Sequence, residues 1–319
     1  MITTIGRDLN KAVDLLSWDK LVAIPTETVY GLAGNALSEK AVATIYAAKN
    51  RPHFNPLILH IKNIDEIHRY AEADMHSLNI AKILMPGPVT LLLPKKNNVP
   101  DITTAGSNKV AIRIPNHPLT LELLDQIDFP LAAPSANPSG YISPTTASHV
   151  FEGLNGKIEY ILDGGPTSIG LESTICEVKG NHILMHRLGG ISASQLTDLT
   201  GLEVREVLHE SMPTTAGQMK SHYAPRTPLF RGDIEQLMQV HSGKKIAIIS
   251  FDKNYEGEKI DCYTLSPEGD LAFAANQLFA TLRKIDQANY DIILAAHFPA
   301  TGIGLAINDR IERAQFLHK

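Results

Sequence analysis

Short apolar runs of strand length alternate with segments of helical period along the first two thirds of the chain. This alternation predicts an α/β domain in which helices cover a sheet. Ser38 can cap a helix that delivers Lys49 and Arg51 at its exit, and Pro52 would stop it. The predicted strands are LVAIPT, PLILHI, VTLLLP, KVAIRIP, FPLAAP and STICEV, which lie near Leu21, Leu57, Val89, Val110, Leu131 and Thr174.

The periodicity fades between Leu202 and Pro228, where SMPTTAGQMKSHYAPRTP has the composition of an ordered linker. Beyond it, KKIAIISF, LAFAANQLFATLRKI, DIILAAHF and AINDRIERAQFLH repeat a strand and helix pattern. A chain of 319 residues also exceeds the usual size of one domain. We therefore predict a first domain over residues 1–205, an ordered linker or lid over 206–228, and a small Rossmann-like domain over 229–319.

Bulk properties exclude several classes of protein. The formal net charge of -5 argues against a large RNA-binding surface. No apolar run approaches the roughly 20 residues that span a bilayer, and the first residues lack a signal-peptide pattern, so we expect a cytoplasmic protein. Cys176 and Cys262 are the only cysteines. Their separation indicates neither a disulfide framework nor a zinc site, and both are expected to be reduced packing residues.

Two segments place polar groups where a strand ends. In PTETVYGL, Thr26, Glu27 and Thr28 can present hydroxyls and a carboxylate to a small ligand, although a turn capped by threonines would also explain them. In KVAIRIP, strand alternation places Arg113 on the face of Ala111. A buried charge needs a partner, which can be a substrate carboxylate or an acidic neighbour in a structural ion pair.

Other segments offer donors suited to phosphate. KNRPHFNPLILH combines Lys49, Arg51 and Asn55, which can neutralise a polyphosphate, although a solvated basic loop is the commoner arrangement. His60 in the same segment would by itself more often be structural. APSANPSGYISP can turn backbone N–H groups and Ser135 and Ser143 towards an anion, or can be a loop of turn-forming residues.

Two glycine-rich segments extend this set. GGPTSIGLESTI enters a strand with Ser173 and Thr174, and HRLGGIS ends a strand with Arg187 before two glycines that can allow close approach to a phosphate. GxxxxGK[ST] is absent, and the GIG after DIILAAHF lacks the full dinucleotide spacing. GxSxG, HExxH and the protein kinase motifs are also absent. The sequence therefore argues against a P-loop or nicotinamide enzyme.

In this order, PTETVYGL, KNRPHFNPL, PGPVTLLL, SANPSGYISPT, ESTI and HRLGG resemble the YrdC-like threonylcarbamoyl-AMP synthases over roughly residues 5 to 205. The AGQMKSHYAP linker and the α/β tail resemble the long, two-domain form of that family. The resemblance implies a twisted, open mixed sheet with helices and an open cleft, followed by a small Rossmann-like domain.

The resemblance also implies a nucleotidyltransferase. Its substrates would be L-threonine, bicarbonate and ATP with Mg²⁺, and its products L-threonylcarbamoyladenylate and pyrophosphate. This is the first step of threonylcarbamoyladenosine modification of tRNA. A downstream threonylcarbamoyl transferase complex would be a partner, tRNA would be contacted only indirectly, and no membrane would be involved. Catalysis would come from positioning and charge neutralisation rather than from a protein nucleophile.

The family pattern implies roles for particular residues. Lys49 and Arg51 would be catalytic, no side chain is assigned to the metal, and Tyr223 of the linker would close over the nucleotide. The residues implied for L-threonine are Thr28, His60, Arg113, Ala133 and Ser173. Those implied for ATP are Lys49, Arg51, Asn55, Ser135, Ser143, Arg187 and Tyr223.

Three departures from the family pattern concern loop stiffness rather than ligand donors: Leu188 and Ala216 stand where proline is common, and Cys176-Glu177 replaces valine and aspartate. An RNA-binding module of the same fold is an alternative. A carbamoyltransferase of hydrogenase maturation would add acylphosphatase and zinc-finger modules, for which this chain lacks the cysteines. A generic nucleotide fold would require the ordered motifs to be coincidence.

Overall fold

The structure is a computed structural model that describes residues 1–207 and 222–315. Most of the predicted linker, with the departure at Ala216, lies outside the described residues. Within them, eleven strands form one large sheet in the order β1-β8-β2-β3-β7-β4-β6-β5-β9-β10-β11. These strands are β1 (Thr4–Gly6), β2 (Val22–Ile24), β3 (Gly31–Asn35), β4 (Ile58–His60), β5 (Val89–Pro94), β6 (Lys109–Arg113), β7 (Leu131–Ala132), β8 (Tyr160–Leu162), β9 (Thr174–Lys179), β10 (His182–Arg187) and β11 (Glu203–Glu206).

Parallel and antiparallel pairs both occur in this sheet: β4 and β6 are parallel, for example, whereas β5 and β6 are antiparallel. The predicted α/β fold with a mixed sheet is therefore confirmed. A short 3-10 helix covers Ile64–Glu66. The α-helices around the sheet are α1 (Leu9–Ser17), α2 (Glu39–Lys49), α3 (Ile67–Tyr70), α4 (Met75–Leu84), α5 (Asp101–Thr104), α6 (Pro118–Asp125), α7 (Ala147–Leu154) and α8 (Ala193–Thr200).

Each of the six predicted strands of the first part has a counterpart in the sheet, namely β2, β4, β5, β6, β7 and β9. The face of β6 that carries Val110 and Ile112 packs in the main core, whereas Ala111 belongs to a separate small cluster with Ile58, Leu92 and Ile175. The predicted alternation along β6 is therefore confirmed. β11 lies inside the region where periodicity fades, because its side chains are largely exposed and give no apolar signal.

Helix α2 begins and ends as local chemistry requires. The side chain of Ser38 accepts a hydrogen bond from the Ala41 N–H at 3.2 Å, which confirms the predicted cap. The helix ends at Lys49 because Asn50 adopts a left-handed conformation with φ of 52°. It therefore ends three residues before Pro52, the residue predicted to stop it. This left-handed turn directs the chain from Lys49 into the loop of Arg51.

A second sheet follows the linker. It has four parallel strands in the order β12-β15-β13-β14, and helices pack against it, as a small Rossmann-like domain requires. Sequence reasoning missed β12, β14 and α9. The elements are β12 (Leu229–Arg231), α9 (Ile234–Val240), β13 (Ile246–Ser250), β14 (Ile260–Thr264), α10 (Leu271–Asp286), β15 (Ile292–Ala295) and α11 (Gly304–Gln315).

The core of this second sheet extends into the first part of the chain. Val29, Ile142 and Leu171, from three different loops beside the large sheet, belong to the same buried cluster as Tyr223 and Phe279. The two sheets are therefore joined by shared apolar packing as well as by the chain. Within residues 1–207 and 222–315, no helix is both long and apolar enough to cross a membrane.

Candidate active site

A cleft opens where loops leave the large sheet, and backbone hydrogen bonds tie these loops together. The Leu32 N–H donates to the carbonyl of Pro134 at 2.7 Å, and the Gly170 N–H donates to the carbonyl of Thr28 at 3.1 Å. The cleft is therefore one assembled site rather than a set of separate turns. Its lining residues are Thr26, Thr28, Val29, Gly31, Arg51, Leu57, Ile58, His60, Arg113, Ala133, Pro134, Ser135, Glu172, Ser173, Arg187, His222 and Tyr223.

Thr26 organises the turn that follows β2. Its hydroxyl donates to the carbonyl of Val29 at 2.6 Å and accepts from the N–H groups of Thr28 and Val29 at 3.2 Å each. The hydroxyl oxygens of Thr26 and Thr28 are 2.8 Å apart. The capped-turn reading and the ligand-site reading of PTETVYGL are thus compatible, because Thr26 holds the turn while Thr28 lines the cleft.

Arg113 ends β6 and faces Glu27. An Nη nitrogen of Arg113 lies 2.8 Å from a carboxylate oxygen of Glu27, and both side chains are buried. The Nε of Arg113 also donates to the carbonyl of Gly87 at 3.3 Å. Of the two partners that the sequence left open for Arg113, the structure contains the acidic neighbour. Although it is paired with Glu27, Arg113 also lines the cleft.

His60 lies next to Arg113 because β4 and β6 run parallel with these two residues in register. A ring nitrogen of His60 is 3.2 Å from the carbonyl oxygen of Ile58. Burial, with the positive charge of Arg113, lowers the pKa of His60 to about 3. The imidazole is therefore neutral at physiological pH, and it can contribute a hydrogen bond to a ligand without adding charge.

Two further arginines, Arg51 and Arg187, contribute positive charge to the cleft wall. Arg51 donates from Nε to the carbonyl of Asn55 at 3.2 Å and from an Nη to that of Pro56 at 3.1 Å. Arg187 donates to the carbonyl of Ser173 from Nε at 3.0 Å and to its hydroxyl from an Nη at 3.0 Å. Burial lowers the pKa of each guanidinium to about 10, so both stay charged at neutral pH.

Lys49 is buried behind this wall. Its ammonium donates to the backbone carbonyls of Ser135 and Asn137, which belong to the SANPSG segment. Burial, followed by the charge of Arg51, holds the pKa of Lys49 well below its usual value. Lys49 thus fixes the SANPSG loop against the end of α2, a role that the basic character of KNRP alone does not indicate.

Glu172 is an acidic group lining the cleft that sequence reasoning did not select. One carboxylate oxygen accepts from the Ser143 hydroxyl at 2.5 Å, and the other accepts from Nε of Arg310 at 3.0 Å. Burial acts to raise the pKa of Glu172, but the charges of Arg310 and Arg187 outweigh it and hold that pKa below its usual value. Glu172 is the first residue of the ESTI motif, so the motif itself could have identified this acidic group.

His222 and Tyr223 enter the cleft from the end of the linker. Their rings meet edge to face with centroids 4.0 Å apart, and the ring of Tyr223 stacks on Phe279 of α10 at 5.4 Å. Burial raises the pKa of Tyr223 to about 12, and it lowers that of His222 to about 3. Both rings are therefore neutral at physiological pH.

Two glycines allow the close packing behind the site. A Cβ on Gly31 would lie 3.1 Å from the Cβ of Ala133, so β3 can run close to the residues that lead from β7 into SANPSG. A Cβ on Gly189 would lie 2.4 Å from the backbone oxygen of Glu172. Gly189 of HRLGG therefore allows close backbone packing against ESTI. The close approach to a phosphate that its sequence suggests stays a prediction.

Most of the residues assigned by resemblance meet in this one cleft. Lys49, Asn55 and Ser143 are the exceptions, since they lie buried beside its wall. The cleft also contains His222 and Glu172, which were not assigned. The assigned residues that line it are Thr28, His60, Arg113, Ala133, Ser173, Arg51, Ser135, Arg187 and Tyr223.

The departure at Cys176-Glu177 lies away from the cleft. The Glu177 carboxylate accepts from Nζ of Lys109 at 2.8 Å and lies 3.2 Å from a ring nitrogen of His186. Cys176 is a free, buried thiol whose pKa is raised by burial to about 12. Glu177 is thus balanced by its own basic neighbours, and this departure does not alter the ligand-facing side chains.

No grouping of three or more His, Cys, Asp or Glu side chains suitable for a metal ion occurs in the described parts of the chain. The acidic side chains at the cleft, Glu27 and Glu172, are each committed to an arginine. The donor set of the described residues therefore does not fit a resident metal.

Comparisons with known proteins agree over both parts of the chain. Residues 14–189 match the family that joins Sua5, YciO and YrdC, described as telomere recombination, and residues 191–315 match the C-terminal domain of threonylcarbamoyl-AMP synthase. The threonylcarbamoyl-AMP synthase of Pyrococcus abyssi is 38% identical over 315 residues, which cover 92% of this chain and 90% of that protein.

The chain belongs to the threonylcarbamoyl-AMP synthase family. The Bacillus subtilis threonylcarbamoyl-AMP synthase is 37% identical over 328 residues, with 98% of this chain and 94% of that protein covered. The family consists of ATP-using enzymes that form an adenylate, so the predicted nucleotidyltransferase class is confirmed and the RNA-binding alternative is not favoured.

The fold of a threonylcarbamoyl-AMP synthase is also found in this structure. The crystal structure of P. abyssi Sua5 complexed with L-threonine aligns with a TM-score of 0.88 and 35% identity, covering 99% of this chain and 98% of that one. The likeness therefore includes both sheets, and it extends to a protein that holds L-threonine in its own structure.

Proposed function

We propose that this chain condenses L-threonine, bicarbonate and ATP to L-threonylcarbamoyladenylate and pyrophosphate. The observation that carries the proposal is the single cleft that two groups of side chains line together: Thr28, His60 and Arg113, which we call the first wall, and Arg51 and Arg187, which we call the second wall. An amino acid and a triphosphate are two ligands that such walls would separate.

The first wall would bind L-threonine. Thr28 offers a hydroxyl, His60 a neutral ring and Arg113 a charge for the carboxylate. Because Glu27 already pairs with Arg113, the incoming carboxylate would share or replace that partner, and Glu27 would be close to the substrate ammonium. Ser173 and the backbone at Ala133 complete the proposed threonine set.

The second wall would bind ATP with its magnesium ion. Arg51 and Arg187 can neutralise the phosphates, and Lys49 supports them by holding the loop of Ser135. The Ser143 hydroxyl gives its proton to Glu172, so in this arrangement it can only accept a hydrogen bond from a ligand. Asn55 and Tyr223 complete the proposed set.

The chemistry then follows in two steps. The free amine of threonine attacks the carbon of carbon dioxide released from bicarbonate, and loss of a proton gives a carbamate. A carbamate oxygen attacks the α-phosphorus of ATP, and pyrophosphate leaves in line. No protein nucleophile takes part, and the arginines stabilise the charge that builds on the leaving group.

The product would pass to a threonylcarbamoyl transferase complex that modifies an adenosine of tRNA. We place this reaction in the cytoplasm and assign no direct tRNA contact, in keeping with the net charge of -5.

The test is pyrophosphate release by the purified chain with ATP, Mg²⁺, bicarbonate and a panel of amino acids. Threonine should stimulate release strongly, serine and valine weakly, and label from bicarbonate should appear in an adenylate. Equal release with every amino acid, or none with threonine, would overturn the proposal. Salt-dependent RNA binding without threonine-dependent ATP cleavage would favour the RNA-binding alternative instead.

A further inference from the structure

Arg310 of helix α11 reaches from the second sheet into the wall of the cleft. Its side chain is buried, and its guanidinium donates to three oxygen atoms. These are the Glu172 carboxylate at 3.0 Å, the Asp309 carboxylate at 2.6 Å and the carbonyl of Leu188 at 2.7 Å. The guanidinium carbon also lies 5.2 Å from the ring centroid of Tyr223. One side chain thus connects two wall segments with the end of the linker.

Glu172 needs such a partner for an electrostatic reason. It is a buried carboxylate that lines the same cleft as Arg51 and Arg187, the wall proposed for the triphosphate. An unpaired negative charge there would repel an anionic ligand, and burial would leave it poorly solvated. Arg310 supplies the opposite charge at 3.0 Å and, by pairing with one oxygen, leaves the other for the Ser143 hydroxyl.

Side chains of helix α10 also make hydrogen bonds to loops beside the cleft. Arg283 is buried and donates to the backbone carbonyls of Ile142 and Ser143, at 2.5 and 3.4 Å. Asn276 donates to the carbonyl of Thr167 at 2.8 Å. Arg283 and Asn276 bind only backbone oxygen in these contacts, so they fix loop position. Arg310 differs because it neutralises a charged side chain of the cleft.

We propose that Arg310 is a positioning residue for the ATP side of the cleft, supplied by the C-terminal domain. It neutralises Glu172, orients the Ser143 hydroxyl through that carboxylate, and holds Leu188 and Tyr223 at the same wall. This inference rests on the proposed function. It gives the C-terminal domain a defined part in ATP binding.

The test compares steady-state kinetics of Arg310→Met with those of the full-length wild type. Loss of the guanidinium should raise KM for ATP about tenfold or more, since a buried charge is left unpaired beside the phosphates. KM for threonine should change less than about threefold, because Thr28, His60 and Arg113 make no hydrogen bond or ion pair with Arg310. Arg310→Met combined with Glu172→Gln removes the orphan charge and should recover most of the ATP affinity.

Two further variants separate positioning from stability. Arg231→Met removes another partly buried arginine of the same domain, which pairs with Glu312 and Asn308 away from the cleft, and it should leave both KM values unchanged. Arg310→Lys keeps a charge near Glu172 but lacks the planar fork, so its KM for ATP should lie between those of the wild type and Arg310→Met. If Arg310→Met does not fold, Arg310→Lys and the double variant give the same comparison.

The inference is overturned if the soluble variants of Arg310 keep the wild-type KM for ATP, if both KM values rise equally, or if Glu172→Gln gives no recovery. These outcomes differ from failure of the proposed function, which would appear as a wild-type chain without threonine-dependent pyrophosphate release.

Discussion

The two walls of the cleft are assembled differently. On the proposed threonine side, Thr28, His60 and Arg113 make hydrogen bonds or ion pairs with Thr26, Ile58 and Glu27, all near the ends of strands in the large sheet. On the proposed ATP side, the wall is completed by Arg310 from a helix of the second sheet and by Tyr223 from the linker. Val29, next to Thr28, also packs in the apolar cluster of the C-terminal domain.

This contrast teaches that, under the proposed assignment, threonine recognition would depend mainly on the local order of one sheet, whereas ATP recognition would depend on docking of the C-terminal domain. Changes on one wall should therefore alter one substrate more than the other.

Lys49→Met should have the largest effect, because it removes a buried ammonium that holds two backbone carbonyls of the SANPSG loop. We expect kcat/KM for ATP to fall at least about 100-fold and the free energy of unfolding to fall by about 2–4 kcal/mol. Pyrophosphate release and urea denaturation measure the two effects. Lys40→Met, on the exposed face of the same helix, is the control. Normal stability with lost activity would instead indicate direct phosphate contact.

Arg51→Met should reduce turnover to a similar or slightly smaller extent, about 30- to 100-fold, since one phosphate-facing charge is lost. Among the described residues, its hydrogen bonds reach the carbonyls of Asn55 and Pro56, so the cost in unfolding free energy should be about 1 kcal/mol. Arg205→Met, which removes an exposed arginine paired with Glu203, should change neither property. Wild-type pyrophosphate release by Arg51→Met would contradict the assignment.

Thr28→Val tests the other wall with a substitution that keeps the shape and removes the hydroxyl. KM for threonine should rise about tenfold while KM for ATP changes less than about twofold. Initial rates with each substrate varied in turn provide the measurement. Thr44→Val, on the exposed face of α2, provides the matched control. A larger effect on ATP than on threonine would show that the two walls are not separate.

The buried histidines give the smallest effect on catalysis and a measurable one on stability. The pKa values of His60 and His222 are about 3 when folded, against 6.5 in the ordinary state. Unfolding therefore takes up protons below pH 6.5. As the pH falls from 6.5 to about 3, each histidine should lower the free energy of unfolding by about 1.4 kcal/mol per pH unit. Urea denaturation at pH 7.5, 6.5 and 5.5 measures this slope.

His60 and His222 contribute equally to this slope, so His222→Gln should remove about half of their joint contribution. The variant takes up one proton fewer on unfolding. KM for threonine should show no titration of His60 between pH 6 and 8, because the ring stays neutral there. A slope that His222→Gln leaves unchanged would mean that this imidazole is protonated in the folded protein.

The sequence by itself determined the α/β class, the six main strands of the first part, the helix that Ser38 caps and the segments that form the cleft. These features follow from local pattern, because apolar alternation, capping and turn residues act over a few neighbouring positions. The order of the motifs along the chain also indicated the protein family.

Only the tertiary structure decided which groups these segments meet. The partner of Arg113 is Glu27, Lys49 serves the SANPSG carbonyls, and Glu172 joins Ser143 to Arg310, which is 138 residues away along the chain. A buried charge requires a partner, but its residue type says nothing about where in the chain that partner lies. Docking of the second sheet settles that choice, since it brings Arg310 of α11 against Glu172 in the wall proposed for ATP.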